Sequence, residues 1–439
     1  MDKYKFISII FILIFITGCL PTTPSPAIAT NPPSEKTPEI QHTSTPQPKA
    51  TASPTHTNTP TVIPATMTPT STKTVNSPGD METHCLDILD SLPTDSEYRG
   101  TVVLQGWGGD ADYLMNLADG KRTKLPKISE DIVSPNHRYN AYVDWTNEYP
   151  DYKIMVTDAN GNQLAAIPWK EDWFELAQWL DDQRLVIINE DYPVYSTVVL
   201  NPFTGEQKEL ASNYPNIQTT FQISQWGKYN FNETVYDPSL TRVLYMEEVP
   251  GDNAFVLWDI PNEKVLGRYT NDIYDYGQKP KWSPNGDRLA IIIDENDGSR
   301  LSADDIHLIN RDGEISRLTF FSDNHAYSRI DEYSWSPDGR YITLWWTNDS
   351  GAKDGLQLII VDTQTGKATN YCMPNFASKY GSATVPVWSP YGMQLLFDIM
   401  SPYNAKRDVI LADLDKGFAA KIGEGRTPFG WMVETQDIP

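Results

Sequence analysis

Cysteine and histidine are scarce in this chain, which argues against metal-centred catalysis, and a missing motif argues against serine-nucleophile catalysis. There are 3 Cys and 6 His among 439 residues, with no Cys-x-x-Cys pair and no paired-His zinc motif. The G-x-S-x-G sequence that forms the nucleophile elbow of α/β-hydrolases is also missing. The sequence therefore does not indicate metal-centred or serine-nucleophile catalysis, and we expect no cofactor.

Basic residues are outnumbered by acidic ones. The chain has 35 Lys and Arg against 58 Asp and Glu, a formal net charge of −23 and a pI near 4.6. Acids and bases nearly balance in the first eighty residues, so the negative charge lies on the remainder. Contact with phosphate groups needs a surface of Lys and Arg, and no basic stripe is present. We therefore expect neither nucleic acid nor anionic lipid as a direct partner of that remainder.

The long apolar run at the N-terminus extends from Phe6 to Ile16 and follows Lys3 and Lys5. It is too short to span a bilayer as a helix but fits the hydrophobic region of an export signal. With the small residues that lead to Cys19, it resembles a bacterial lipoprotein signal. The resemblance implies that residues 1–18 are removed and that the Cys19 thiol carries lipid. An uncleaved anchor, or a chance cysteine after a signal peptide, is the alternative.

Residues 19–80 are dominated by Thr, Pro, Ser and Ala and have few large apolar side chains. Such a segment buries too little surface to offset its ordering entropy, so we expect a disordered tether. Polyproline conformations near 3.1 Å per residue would let it reach roughly 100 to 180 Å. The chain is therefore expected in the bacterial cell envelope, outside the cytoplasm. It would be held by lipid on the plasma membrane, or on the outer membrane of a host that has one.

With Cys19 assigned to lipid, Cys85 and Cys372 remain on the oxidising side of the membrane, far apart in sequence. We predict a disulfide between them, with a benefit of a few kcal/mol. Two unpaired buried thiols are the alternative.

A repeated turn motif governs the rest of the chain. Trp282-Ser283-Pro284-Asn285-Gly286 returns 53 residues later from Trp335 and another 53 residues later from Trp388. Proline presets the first corner of a tight turn, Asn or Asp tolerates the second, and Gly accepts a left-handed exit. An apolar strand follows each turn at once. A fixed period of this size indicates a repeat array.

Three weaker copies of the turn precede the sharp ones, beginning at Val133, Trp179 and Tyr236, and a second apolar strand with its own turn follows each of the six. The strand at Thr101–Leu104 has no turn motif, and the one at Pro428–Met432 has no following partner. We infer that these two join in one composite blade. The prediction for residues 81–439 is an all-β propeller of four-stranded blades closed by its own termini, with seven blades, or six if the N-terminal strands pair otherwise.

The W-S-P-D-G-R pattern, with its apolar strand and following D-G or D-x-x-G turn, resembles the repeats of TolB-like propellers. It covers Thr101 to Trp431, nearly the whole predicted fold. WD-repeat propellers are a more distant comparison, because their Gly-His and Trp-Asp landmarks do not recur here. The resemblance implies the fold and is poorly specific for function. The N-terminal α/β domain of TolB has no counterpart, because Cys85 to Arg99 is too short.

Strand order places the short turns at one end of the blades and the longer connections at the other, where binding residues are expected. Aromatic and polar side chains there suit sugar stacking or a protein contact. The candidates are Trp107, Trp145, Tyr149, Tyr192, Trp226, Asp294, Asp297, His325, Tyr380, Tyr403 and Arg407. Each aromatic could instead simply cover a neighbouring blade. Asp294, Asn296 and Asp297 form a weak calcium candidate without the spacing of an EF-hand, and a solvated acidic turn is the alternative.

These features together predict a monomeric, lipid-anchored propeller that binds a protein or a glycan, or serves as a scaffold. The alternative is a hydrolase or lyase acting on polysaccharide or peptide at the central funnel. Carboxylate pairs for such chemistry could lie among the many acidic residues.

Overall fold

The computed structural model describes residues 81–93, 98–106, 111–125, 128–144, 152–170, 174–189, 196–210, 234–247, 254–270, 279–295, 302–348, 355–373, 384–400 and 407–434. Strands dominate these ranges, with one short helix, α1 (Phe321–Asn324), among them. No helix in this part of the chain is long and apolar enough to cross a membrane.

The strands are described here in chain order. They are β1 (Met81–Thr83), β2 (Asp87–Leu89), β3 (Thr101–Gly106), β4 (Tyr113–Asn116), β5 (Arg122–Lys124), β6 (Ile128–Val133), β7 (Asn140–Asp144), β8 (Tyr152–Thr157), β9 (Gln163–Trp169), β10 (Phe174–Asp181), β11 (Arg184–Asn189), β12 (Ser196–Leu200), β13 (Gln207–Leu210), β14 (Val235–Tyr236), β15 (Arg242–Glu247), β16 (Ala254–Asp259), β17 (Lys264–Thr270), β18 (Lys281–Trp282), β19 (Arg288–Asp294), β20 (Asp304–Asn310), β21 (Ile315–Arg317), β22 (Ser328–Trp335), β23 (Tyr341–Asn348), β24 (Gln357–Asp362), β25 (Ala368–Tyr371), β26 (Val387–Trp388), β27 (Gln394–Met400), β28 (Arg407–Asp413), β29 (Phe418–Glu424) and β30 (Arg426–Met432).

Seven antiparallel four-stranded blades account for all of these strands except β1 and β2. Blade 1 has the order β30-β3-β4-β5, and blades 2 to 7 follow in sequence as β6–β9, β10–β13, β14–β17, β18–β21, β22–β25 and β26–β29. The second and third strands of each blade are almost continuously apolar because both faces of the sheet are covered, as in β19, where Ile291 is 1% exposed. The predicted seven-bladed propeller is confirmed, and the six-bladed alternative is excluded.

The core consists of seven apolar clusters, one at each junction between successive blades. The cluster between blades 7 and 1 packs Leu396 and Leu411 against Val102 and Leu104. The others join blades 1 and 2, 2 and 3, 3 and 4, 4 and 5, 5 and 6, and 6 and 7. Every blade therefore has a packed neighbour on both faces, and the ring is closed.

The termini close the ring as the sequence predicts. In blade 1, β30 is the innermost strand and pairs with β3, so that Val102 lies opposite Trp431. The Trp431 side chain is fully buried, and its indole Nε1 donates to the Arg99 carbonyl oxygen at 3.0 Å. The last described strand is thus held by the first blade.

The six W-S-P-type motifs form the turns between the first and second strands of blades 2 to 7, as predicted. The motif serine stabilises the turn by hydrogen bonds: Ser283 Oγ accepts from the Arg288 amide at 3.1 Å, and Ser336 Oγ accepts from the Tyr341 amide at 2.8 Å. Gly339 has φ of 68°, which is the left-handed exit expected there. These turns and those between third and fourth strands share one end of the ring, which we call the short-turn end; the opposite end is the long-loop end.

A tryptophan at the end of an inner strand links several blades to the one before. In each case the indole Nε1 donates to a main-chain carbonyl near or on the preceding inner strand, at 2.9 to 3.2 Å. A buried indole N–H needs such an acceptor, so the bond fixes the rotation of one blade against the next. The pairs are Trp179 with Ile132, Trp282 with Val235 and Trp335 with Lys281.

The first described segment, Met81–Leu89, forms an N-terminal strap that the sequence did not reveal. Its strand β1 adds to blade 6 in parallel with β25, and β2 adds to blade 7 in parallel with β29. Between them, Cys85 forms the predicted disulfide with Cys372, which follows β25. The alternative of unpaired thiols is excluded. The strap joins the outer edges of two adjacent blades.

Candidate functional site

Three of the binding-face residues predicted from the sequence are described by the structure, namely Asp294, His325 and Arg407. Their positions are consistent with the predicted long-loop end: Asp294 ends a second strand, Arg407 begins a third strand, and His325 follows α1. The remaining candidates lie outside the described residues, so their placement stays a prediction. They are Trp107, Trp145, Tyr149, Tyr192, Trp226, Asn296, Asp297, Tyr380 and Tyr403, together with the lipidation site Cys19.

Arg407 is committed to an ion pair inside the fold. Its Nη1 lies 2.9 and 3.0 Å from the two carboxylate oxygens of Asp398, and the Arg407 side chain is only 10% exposed. Thr427 Oγ1, on the ring-closing strand, donates to the same carboxylate at 2.6 Å. Arg407 therefore neutralises a buried acid beside the closure of the ring, and little of its head group is left for a ligand.

Asp294 and His325 also make internal contacts. Asp294 Oδ1 accepts from the Ala303 amide at 2.9 Å, and the His325 ring meets the Trp346 ring edge-on with centroids 4.8 Å apart. Among the described residues, no group of three or more His, Cys, Asp or Glu side chains is placed to hold a metal ion. The calcium prediction depends on Asn296 and Asp297 and is not tested by this part of the chain.

Two adjacent buried carboxylates organise the long-loop end of blades 5 and 6. Asp305 accepts from Thr319 Oγ1 and the Phe321 amide, both at 2.7 Å, and forms an ion pair with Arg317, also at 2.7 Å. These bonds fix the chain that leads into α1. The neighbouring carboxylate, Asp304, accepts from the Ile330 amide at 2.9 Å and so ties blade 5 to the start of the inner strand of blade 6.

Burial raises the pKa of Asp304 to about 7, with the charge of Asp294 acting in the same direction and hydrogen bonds from Ile330 and Ser302 opposing it. The folded protein therefore keeps a proton that the unfolded chain releases near its ordinary pKa of 3.8. Stability from this group is full at low pH and is lost as the pH rises towards 7. We expect the free energy of unfolding to fall by about 2 kcal/mol between pH 5 and pH 7 on this account.

Asp304→Asn should remove most of that pH dependence, because the amide oxygen still accepts from Ile330 but no longer ionises. Urea unfolding between pH 5 and pH 8 measures it, with Asp312→Asn as an exposed control for the same Asp-to-Asn replacement. An unchanged pH slope in Asp304→Asn would contradict the assignment.

The inner strands depart from regular pairing beside the central channel. In β10, Leu176 pairs with Ile187 and Gln178 with Val186, which leaves Ala177 as a one-residue bulge. The inner strand β22 carries a similar bulge at Asp331 and Glu332, between Ile330 and Tyr333. Bulges of this kind redirect side chains and often occur next to functional sites. Ala177, at the bulge of β10, lines the cavity described next.

A cavity of about 330 Å³ is lined by the inner strands of blades 3, 4 and 5, and Pro135, Pro238 and Pro284 place part of its wall at the short-turn end, not at the predicted long-loop end. Its described wall includes β14 and β18, which have two residues each, whereas the inner strands β10 and β22 have eight each. The wall is mainly apolar and aromatic, with a few polar groups. It includes Ala177, Gln178, Trp179, Tyr236, Trp282, four prolines at positions 135, 238, 280 and 284, and the two lysines Lys279 and Lys281.

Charged side chains lie next to the cavity. Lys279 Nζ lies 3.1 Å from Glu175 Oε1, so the pair runs from blade 5 to blade 3 past the short β14. Lys281 Nζ donates to the Tyr333 carbonyl oxygen at 2.6 Å and lies 4.8 Å from the centroid of that ring. Burial lowers the pKa of Lys281 and raises the pKa of Glu332, the acidic group whose charge acts on it.

The sequence identified Trp179, Tyr236 and Trp282 as turn-motif residues but predicted no binding site at these cavity residues. The segment Lys279-Pro280-Lys281-Trp282 stands directly before a sharp turn motif, and its two lysines in an acidic protein were the available signal. The pairing of Lys279 with Glu175, more than a hundred residues away, depends on the ring and cannot be inferred from spacing.

No protein-family model matches the chain, and no curated protein sequence matches it. Solved structures similar in chain path include TolB from Acinetobacter baumannii, at 12% identity over 76% of this chain and 82% of that one, with a TM-score of 0.39. An oligogalacturonate lyase in complex with manganese matches at 12% identity over 74% and 85%, with a TM-score of 0.46. Hydrazine synthase from Kuenenia stuttgartiensis matches at 10% identity over 78% and 99%, with a TM-score of 0.44. The likeness concerns the propeller fold, and function has to be argued from the site.

Proposed function

We propose that this protein is a lipid-anchored binding propeller of the cell envelope, with its ligand site in the central-channel cavity. The observation that carries the proposal is the cavity itself: an apolar concave site of about 330 Å³ with a few convergent polar groups, set in a closed ring. Sites of this size and make-up are where small ligands and side chains of partners usually bind.

The proposed anchoring rests on the sequence. The basic start, the apolar run to Ile16 and the cysteine at position 19 support export and lipidation, and the Pro- and Thr-rich segment to residue 80 supports a long tether. The disulfide between Cys85 and Cys372 agrees with an oxidising compartment. A tethered propeller would search the volume around its anchor point for its ligand.

Ala177→Trp is expected to abolish binding at the cavity, because a large side chain on the bulge of β10 fills the space next to Trp179. All described strands pair within residues 81–432, so a soluble fragment from Lys73 keeps the fold. We would apply this fragment to arrays of envelope glycans and peptides and rank ligands by the signal that wild type retains and the variant loses, which we expect to fall at least about tenfold.

Thr204→Trp, on an exposed turn of the same blade, is the matched control and should bind as wild type does. If every ligand bound by wild type is bound equally by Ala177→Trp, the site lies elsewhere and the proposed location is wrong. Thermal unfolding of both variants checks that the ring is intact.

A hydrolase or lyase is the second candidate, and the observation in its favour is the acidic bulge of β22. Burial raises the pKa of both Asp331 and Glu332, which is the direction that favours a general acid. Asp331, however, is paired with Arg329 at 2.6 Å. Mass spectrometry of the same glycans and peptides after incubation would decide: cleaved products that disappear in Glu332→Gln would favour the enzyme.

A further inference from the structure

The cavity differs in charge from the protein that contains it. The chain has 58 acidic and 35 basic residues, yet the described residues that line the cavity include Lys279 and Lys281 and no carboxylate. Glu175 pairs with Lys279 from outside the lining, and the charge of Glu332, also outside the lining, acts on Lys281. The acidic groups that act on both lysines therefore lie outside the described lining.

Lys279 is the cation that a ligand can reach. Its side chain is 43% exposed and that of Glu175 is 31% exposed, so water competes for both partners. Ion pairs of this exposure contribute at most about 1 kcal/mol and exchange readily. An incoming acidic group can therefore replace Glu175 on Lys279 at small cost.

Lys281 also favours a ligand with an acidic group. Its ammonium group is held by the Tyr333 carbonyl oxygen and the Tyr333 ring, which are neutral partners. Burial lowers the Lys281 pKa, while Glu332 raises it and Lys279 lowers it. A negative charge brought into the cavity would favour the charged form of this lysine.

The apolar walls indicate what the rest of the ligand resembles. The indole N–H groups of Trp179 and Trp282 already donate to the carbonyl oxygens of Ile132 and Val235, at 3.1 and 3.2 Å. These walls thus offer carbon surface with few free donors. A neutral sugar would leave many hydroxyl groups without partners, whereas a flat apolar body loses nothing by burial there.

We propose, on the basis of the binding function above, that the cavity takes a small organic anion with a flat apolar body, of the aromatic carboxylate or sulfonate class. Its acidic group bonds Lys279 in place of Glu175, and its apolar body packs beside Trp179 and Trp282. The feature that supports this ligand class is an apolar wall combined with a carboxylate, that of Glu175, which the ligand can replace on Lys279.

Two fluorescent probes test this inference on the soluble fragment from Lys73. One is 8-anilinonaphthalene-1-sulfonate, which is anionic, and the other is N-phenyl-1-naphthylamine, which has a similar body without the charge. We expect Lys279→Met to weaken saturable binding of the anionic probe by about fivefold to tenfold, and Glu175→Gln to strengthen it by a few-fold because the ligand no longer competes. The neutral probe should bind Lys279→Met and Glu175→Gln as it binds wild type, and Lys208→Met, which replaces an exposed lysine on blade 3, should match wild type with both probes.

The two variants on one ion pair separate recognition from structure. If the pair served only to hold blades 3 and 5 together, both changes would weaken both probes, and the inference would be wrong. Equal binding of the anionic probe by Lys279→Met and wild type would also overturn it. If both probes bind and Ala177→Trp removes them while the charge variants have no effect, the cavity site stands and only its anion preference fails. If neither probe binds wild type, the proposed site itself fails.

Discussion

Replacing Trp431 by alanine is expected to lower the free energy of unfolding by about 3 to 5 kcal/mol, the usual cost of removing a buried tryptophan. The Trp431 side chain is fully buried in the cluster between blades 7 and 1, and its indole N–H bonds the Arg99 carbonyl oxygen. Both the apolar contact and the hydrogen bond hold the last strand to the first blade. Chemical unfolding of the soluble fragment, followed by tryptophan fluorescence and by circular dichroism, measures the loss.

Phe429→Ala supplies the matched control for that measurement. Phe429 lies on the same strand, two residues earlier, but occupies the bulge of β30 and is 39% exposed. Its removal should change the free energy of unfolding by less than about 1 kcal/mol. If the two variants were equally stable, closure of the ring would not depend on the packing of Trp431.

The double variant Cys85→Ser, Cys372→Ser should be less stable than wild type by about 3 to 5 kcal/mol. The disulfide closes a loop with a sequence separation of 287, and a loop of this length restricts the unfolded chain strongly. The strap it holds makes only three residue pairs with each of two blades, so the strap also depends on the disulfide locally. Heat and urea unfolding of wild type and variant compare the global effect.

Limited proteolysis gives the local readout for the same variant. Without the disulfide, Met81–Leu89 should be cut well before the blades, since parallel pairs of three residues at a sheet edge are weak. Wild type treated with a thiol reductant should behave in the same way, because Cys85 is exposed. An identical cleavage pattern with and without the disulfide would show that the strap holds by itself.

The sequence was sufficient for the architecture because the repeat encodes it locally. A Trp, a Ser-Pro corner and a Gly in left-handed geometry specify a turn, and the apolar residues that follow specify a doubly covered strand. The composite blade was predictable because the strand at Val102 has no turn motif and the strand at Trp431 has no following partner. The two strands together complete one blade. The disulfide was predictable by elimination among three cysteines.

The site was much less predictable. The strap escaped notice because three-residue strands such as Asp87–Leu89 carry no periodic signal. The cavity depends on the shortness of β14 and on the pairing of Lys279 with Glu175, which are properties of the assembled ring. Arg407 was predicted to lie on the binding face. Its guanidinium group instead binds the buried carboxylate of Asp398 on the adjacent strand. The sequence placed Arg407 at an end of its strand without showing what its side chain contacts.

The strap has a mechanical consequence. A pulling force on the chain ahead of Met81 would act first on the three residue pairs between β1 and β25. These pairs would separate one after another. Four residues farther on, the force meets the covalent bond at Cys85, which passes the tension into the outer strand of blade 6 through Cys372. Blades 7 and 1 and the closing strand of the ring are thereby shielded from a pull that would otherwise start unravelling them at their N-terminal side.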